Sequence, residues 1–158
     1  MRAECLVRFG ATGDLAKKKL FPALYHMQLN KELDIPVVGV ASTRWTQEEF
    51  KLNAVEAIRK AIKDVDEEVL NALISSMRLV IGDYREPTTF EELRAAVGDA
   101  SLSVYYLAIA PDQFTAVTMG LANAGLASKA RLVVEKPFGR DLESAKALNE
   151  ALEQVVRE

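Results

Sequence analysis

The chain has 158 residues, of which 49% are apolar and 27% charged, with a formal net charge of −3. That is one domain's length with enough apolar residues for its own core, and the balance excludes a general attraction for nucleic acid or an anionic membrane. Cys5 is the only cysteine, which excludes an internal disulfide, no apolar run is long enough to span a bilayer and no signal-peptide pattern opens the chain, so a cytoplasmic location is expected.

The first expected element is a strand, Glu4–Phe9, built on the apolar run Cys5–Phe9 and followed by Gly10-Ala11-Thr12-Gly13-Asp14-Leu15-Ala16-Lys17, which opens a helix. A strand that ends in a glycine turn and feeds a helix start gathers unpaired backbone N–H groups and the positive end of the helix dipole, a place for a phosphate. The spacing G-x-x-G-D-L-A is neither G-x-G-x-x-G nor the Walker pattern, and by itself it also fits an ordinary strand-to-helix turn. Gly10, Thr12, Gly13, Asp14 and Leu15 are the candidate cofactor contacts of this turn. Asp14 would repel a pyrophosphate directly, so its expected role is to accept backbone N–H bonds at the helix start. Lys17, Lys18 and Lys19 offset that charge or form a solvated face. Pro22 should kink or restart the helix. His26, within it, reads as a surface or packed residue, not as a general base.

Further apolar runs, Ile35–Val40, Leu79–Ile81, Leu102–Ala110 and Leu132–Val134, suit strands buried on both faces. Helices are expected over Glu48–Ile62 and Glu67–Met77, with Lys63-Asp64-Val65-Asp66 as the break. Thr46-Gln47-Glu48-Glu49 and Thr88-Thr89-Phe90-Glu91 have capping-box spacing, and Asp112 and Asp141 are candidate N-caps. A last helix is expected over Leu142–Val156. Strands alternating with helices predict an α/β, Rossmann-like, doubly wound parallel sheet of about five strands in the order 3-2-1-4-5, with helices on both faces. Nothing divides the chain, so 1–158 reads as a single dinucleotide-binding domain.

The end of the second strand separates the two nicotinamide dinucleotides, because an acidic residue there bonds the ribose hydroxyls of NAD and repels the extra phosphate of NADP. Here it continues Ala41-Ser42-Thr43-Arg44-Trp45, with no carboxylate. Ser42, Thr43 and Arg44 offer two hydroxyls and a guanidinium fork to a phosphate, which favours NADP over NAD. Arg44 also reads as a solvated loop charge. Trp45 either covers the adenine or packs on the loop, and Phe114 either meets the cofactor or joins the core. Cys5 reads as a small buried apolar residue.

Val133-Val134-Glu135-Lys136-Pro137-Phe138-Gly139-Arg140-Asp141-Leu142 resembles the E-K-P-F-G-x-D-L motif of glucose-6-phosphate dehydrogenases. Gly13-Asp14-Leu15-Ala16-Lys17-Lys18-Lys19-Leu20-Phe21-Pro22-Ala23-Leu24 is similar to that family's opening, with Gly82-Asp83-Tyr84 and Tyr106-Leu107-Ala108-Ile109-Ala110-Pro111 falling between in the family's order. The resemblance covers the whole chain, which corresponds to roughly the first third of a family member. It implies backbone contacts to the nicotinamide side from Ala110 and Pro111. It makes Lys136 the residue that orients substrate and cofactor, the chain's one catalytic candidate. The family often carries Arg where Ser42 stands, so NAD use stays open beside NADP.

The resemblance further implies the oxidation of glucose 6-phosphate to the phosphogluconolactone, in the pentose phosphate pathway. The base histidine of that reaction sits in a downstream D-H-Y-L-G-K segment that these residues do not include, so the chain alone is expected to bind dinucleotide without turning over the sugar. Glucose 6-phosphate would be a partner only of the complete enzyme. Two other readings remain: a non-catalytic nucleotide-binding or assembly module, and another sugar oxidoreductase such as those resembling glucose–fructose oxidoreductase. The fifth strand would present an open sheet edge, a route to self-association. Neither nucleic acid nor membrane is expected as a partner.

Overall fold

Residues 3–12, 16–42 and 44–134 are described in the computed structural model of the chain. Five parallel strands form one sheet: β1 (Cys5–Phe9), β2 (Val37–Ala41), β3 (Met77–Ile81), β4 (Ser103–Leu107) and β5 (Ala130–Val134), in the order β3-β2-β1-β4-β5. The expected order is the observed one. β1 is central, with Val7 level with Val38 of β2 and Tyr105 of β4.

Alternation along the strands sends the core two ways. Cys5, Val7, Phe9, Val38, Val40, Val80, Tyr105 and Leu107 face helices α4 (Pro87–Val97) and α5 (Phe114–Asn123). Val37, Ala41, Met77 and Leu79 face α1 (Phe21–Leu29), α2 (Gln47–Ala61) and α3 (Glu67–Ser75). No residue of β4 or β5 belongs to this second cluster. Arg131 and Val133 of β5 are accordingly exposed, and Val104 and Tyr106 of β4 half-buried. Burial on both faces, expected for every strand, therefore holds for β2 and fails for β5. Among the described residues, the helices of that face pack on β1 to β3 and not on β5.

Local signals explain most of the helix starts. Thr46 caps α2, its hydroxyl accepting from Glu49 N at 3.0 Å. Asp66 caps α3 by accepting from the N–H groups of Glu68 and Val69, and its own N–H donates to the Tyr25 hydroxyl at 2.8 Å. Pro22 does restart the helix: a π-helical turn, Ala16–Leu20, precedes α1, with the proline in the first turn. At the outer edge of β3, the Gln47 side-chain amide pairs with both the N–H and the carbonyl of Leu79, so the middle of this edge is covered by a side chain.

Two expected caps are corrected. α4 starts at Pro87, whose fixed φ suits a first helical position, with Glu86 at the N-cap and no side-chain capping bond. Thr88 and Thr89 thus lie inside the first turn, and the buried Thr89 hydroxyl donates to the Asp83 carbonyl instead. Asp112 sits within a 3-10 turn, Pro111–Gln113, which puts Gln113 at the N-cap of α5. Asp141 and the expected helix over Leu142–Val156 lie outside the described residues.

Candidate functional site

The carboxyl ends of parallel strands form the rim where open α/β sheets take ligands. At the end of β1, Gly10 has φ +82°, and a Cβ there would run into the Ala108 carbonyl oxygen. β1 and β4 can approach this closely because the residue is glycine. Gly10 N–H donates to the Val40 carbonyl at 2.9 Å and to the Tyr84 hydroxyl at 3.1 Å, and Ala11 N–H donates to the same carbonyl at 3.3 Å. Backbone donors for a ligand must therefore come from later in the turn. Thr12 is half-buried there; Gly13, Asp14 and Leu15 lie outside the described residues.

Tyr84 is the residue that sequence reasoning missed at this rim. Its ring packs edge-on against Phe9, with centroids 5.5 Å apart. Its hydroxyl accepts from Gly10 and donates to the Val40 carbonyl at 3.3 Å. One buried hydroxyl, on the loop after β3, thus joins the ends of β1 and β2. Burial pushes its pKa up and the Gly10 N–H pulls the other way, so it stays protonated and able to donate at neutral pH. The loop that carries it is pinned by Asp83, whose carboxylate accepts from Arg85 N–H and from its guanidinium at 3.0–3.1 Å. That pairing holds the Asp83 carboxyl below its ordinary pKa.

After β2, Ser42 and Arg44 are both exposed. Trp45 is half-buried and packs against the core cluster beneath α1 and α2, the packing alternative for this residue. The Lys17 ammonium lies 5.3 Å from the centroid of its ring. After β4, Ala110 is exposed and Pro111 begins the 3-10 turn. Phe114 is buried in the core and so takes the second of its two roles. His26 is exposed on α1 with its ring against Tyr25, the surface alternative for this residue. Cys5 is buried as expected, and burial raises its thiol to about 11. Glu135, Lys136 and Pro137 lie outside the described residues.

The rim thus brings Gly10, Thr12, Ser42, Arg44, Ala110 and Pro111 to the carboxyl end of the sheet. A cavity of about 470 Å³ between α4 and the start of β4 is lined by none of them. Among the described residues no three of His, Cys, Asp and Glu gather as a metal site, and no helix is long and apolar enough to cross a membrane.

A family model described as glucose-6-phosphate dehydrogenase, NAD binding domain, matches residues 7–158. The chain is similar to glucose-6-phosphate 1-dehydrogenase 1 of Mycobacterium tuberculosis, with 38% identity over 156 residues, covering 99% of this chain and 33% of that protein. The Bacillus subtilis glucose-6-phosphate 1-dehydrogenase is 30% identical over 165 residues, covering 97% and 33%. Among solved structures, glucose-6-phosphate 1-dehydrogenase of Mycobacterium avium superposes with a TM-score of 0.89 at 40% identity, covering 98% of this chain and 34% of that one. A glucose-6-phosphate dehydrogenase in complex with its substrate glucose-6-phosphate gives 0.79 at 28%, covering 96% and 34%. The chain therefore spans about a third of the length of the relatives it matches.

Proposed function

The chain belongs to the glucose-6-phosphate dehydrogenase NAD binding domain family, and on that premise we propose that it is the NADP-binding domain of a glucose-6-phosphate 1-dehydrogenase. The observation that carries the choice of cofactor is the end of β2. Ser42 and Arg44 stand exposed there, and the segment 41–45 holds no carboxylate to repel a ribose phosphate. This donor set fits the 2′-phosphate of NADP better than the free ribose hydroxyls of NAD, although NAD is not barred.

Each rim residue then has a task. Gly10 shapes the turn and keeps its own N–H inside the protein, while Thr12, Gly13, Asp14 and Leu15 present or order the later donors around the pyrophosphate. Ser42 and Arg44 bond the 2′-phosphate. Ala110 and Pro111 offer backbone to the nicotinamide half. Lys136 is assigned to bond a sugar hydroxyl and hold positive charge beside the reacting centre. NADP⁺ held by these residues would supply the hydride acceptor for oxidation of the anomeric carbon of glucose 6-phosphate. The matching proton needs a base, and the one histidine in these residues, His26, lies exposed on α1.

Calorimetric titration of the purified chain with NADP⁺ and NAD⁺ tests the reading. NADP⁺ should bind more tightly, and Arg44→Ala should weaken it about tenfold, the loss of one exposed charge-assisted pair. Binding of neither dinucleotide would overturn the proposal. With glucose 6-phosphate and NADP⁺ together, the chain should produce no NADPH at 340 nm; sustained production, free of host enzyme, would place the base within these residues.

A further inference from the structure

We propose that Lys17, held over the indole of Trp45, is a determinant of NADP specificity, a second cation for the 2′-phosphate beside Arg44. This rests on the cofactor reading above and deepens it. Lys17 is in the π-helical turn Ala16–Leu20 that follows the phosphate turn of β1, yet its ammonium reaches the loop after β2. It is therefore a described cation that bridges the two loops between which an adenosine ribose must lie. Trp45 is half-buried against the core, so its ring is a fixed platform, and it adjoins Arg44 in sequence.

A cation over a ring face is drawn by the ring's charge distribution, which leaves ammonium N–H donors free to turn toward an anion. Holding the side chain this way also removes part of the rotamer entropy that a flexible lysine loses on binding. The lysines differ accordingly: Lys17 is half-buried, whereas Lys18 and Lys19 are exposed. The local field has the right sign. Lys17 and Lys18 also border a groove along α2 with Lys60 and one carboxylate, Glu56, a neighbouring cationic patch that offsets Glu48 and Glu49 in the first turn of that helix. Ser42 supplies a hydroxyl and no charge, and Lys17 provides what that position lacks.

The test titrates the 158-residue chain and its Lys17→Gln and Lys17→Arg variants with NADP⁺ and with NAD⁺ by calorimetry, with emission of the single tryptophan followed in parallel. Lys17→Gln should lose about tenfold in NADP⁺ affinity and less than about twofold in NAD⁺ affinity, while Lys17→Arg stays within about threefold of the parent for both. The thermal midpoints of all three proteins should agree, because the side chain is not part of the core. Equal losses for both dinucleotides would make Lys17 a contact to the shared pyrophosphate and overturn the specificity role. Unchanged affinities would overturn it as well. If the parent chain binds neither dinucleotide, the cofactor reading itself falls, and that result is distinct from either of the others.

Discussion

Replacing Gly10 with valine should lower the thermal midpoint by on the order of 10 °C and abolish NADP⁺ binding. Two costs add at this position. The backbone stands at φ +82°, a region that a β-branched residue enters at about 1–2 kcal/mol. The new Cβ also meets the Ala108 carbonyl oxygen and the Ile109 side chain, so β1 and β4 must part, and overpacking of this kind costs about 1–3 kcal/mol more. For a domain of this size about 3 kcal/mol corresponds to the stated shift. Gly98→Ala is the control. Gly98 has φ +66°, but nothing lies within 4 Å of its Cβ position, so only the conformational cost of about 1 kcal/mol should appear. Equal shifts in the two variants, read by circular dichroism on heating, would remove the close approach of β1 and β4 from the account.

The cofactor consequence follows from what Gly10 is bonded to. Its N–H is shared between Val40 and Tyr84, so a side chain that moves the turn also pulls on the end of β2 and on the loop after β3. The β1 turn, the end of β2 and Tyr84 form one hydrogen-bonded unit, and displacement at one point is felt at the others.

This coupling marks the limit of what the sequence discloses. The β1 turn, the alternation of strands and helices, and the strand order are legible because they rest on local pattern and on the few topologies that right-handed crossovers permit. The Thr46 cap is legible for the same reason. Thr88 misleads because Pro87 is the stronger helix starter, and the pattern gives no sign that the Thr89 hydroxyl is taken by Asp83. Tyr84 lies 74 residues from Gly10, and Gly82-Asp83-Tyr84 reads from sequence only as a segment of family resemblance. Arg8, inside the apolar run of β1, gives no hint that it is buried with its guanidinium 4.9 Å from the centre of the Tyr106 ring. The Lys17–Trp45 contact is equally invisible to spacing. Tertiary proximity, not local propensity, decides each of these.

Ser42→Asp should then invert the cofactor preference, with NADP⁺ affinity falling about 100-fold, or about 2.7 kcal/mol, and NAD⁺ affinity holding or rising several-fold. Ser42 is exposed at the end of β2, so the substitution adds a charge without disturbing the core, and the thermal midpoint should stay within about 1–2 °C. The carboxylate gains the ribose hydroxyls of NAD as donors. Against NADP it faces a phosphate dianion. Unit like charges about 4 Å apart near a protein surface repel by about 4 kcal/mol, and solvent and salt bring the net penalty to the smaller figure above. Raising the salt concentration should therefore narrow the gap between the two dinucleotides in Ser42→Asp and leave its NAD⁺ affinity less affected. Lys17 and Arg44 set how far the inversion goes, because either cation can turn to the new carboxylate. Combining Ser42→Asp with Lys17→Gln should push preference further toward NAD, by less than the sum of the single changes, since neighbouring charges in one site do not act additively. Parallel losses for both dinucleotides in Ser42→Asp would mean that the loop after β2 meets the shared adenosine and not its phosphate, and the assignment of specificity to Ser42, Arg44 and Lys17 would fall together.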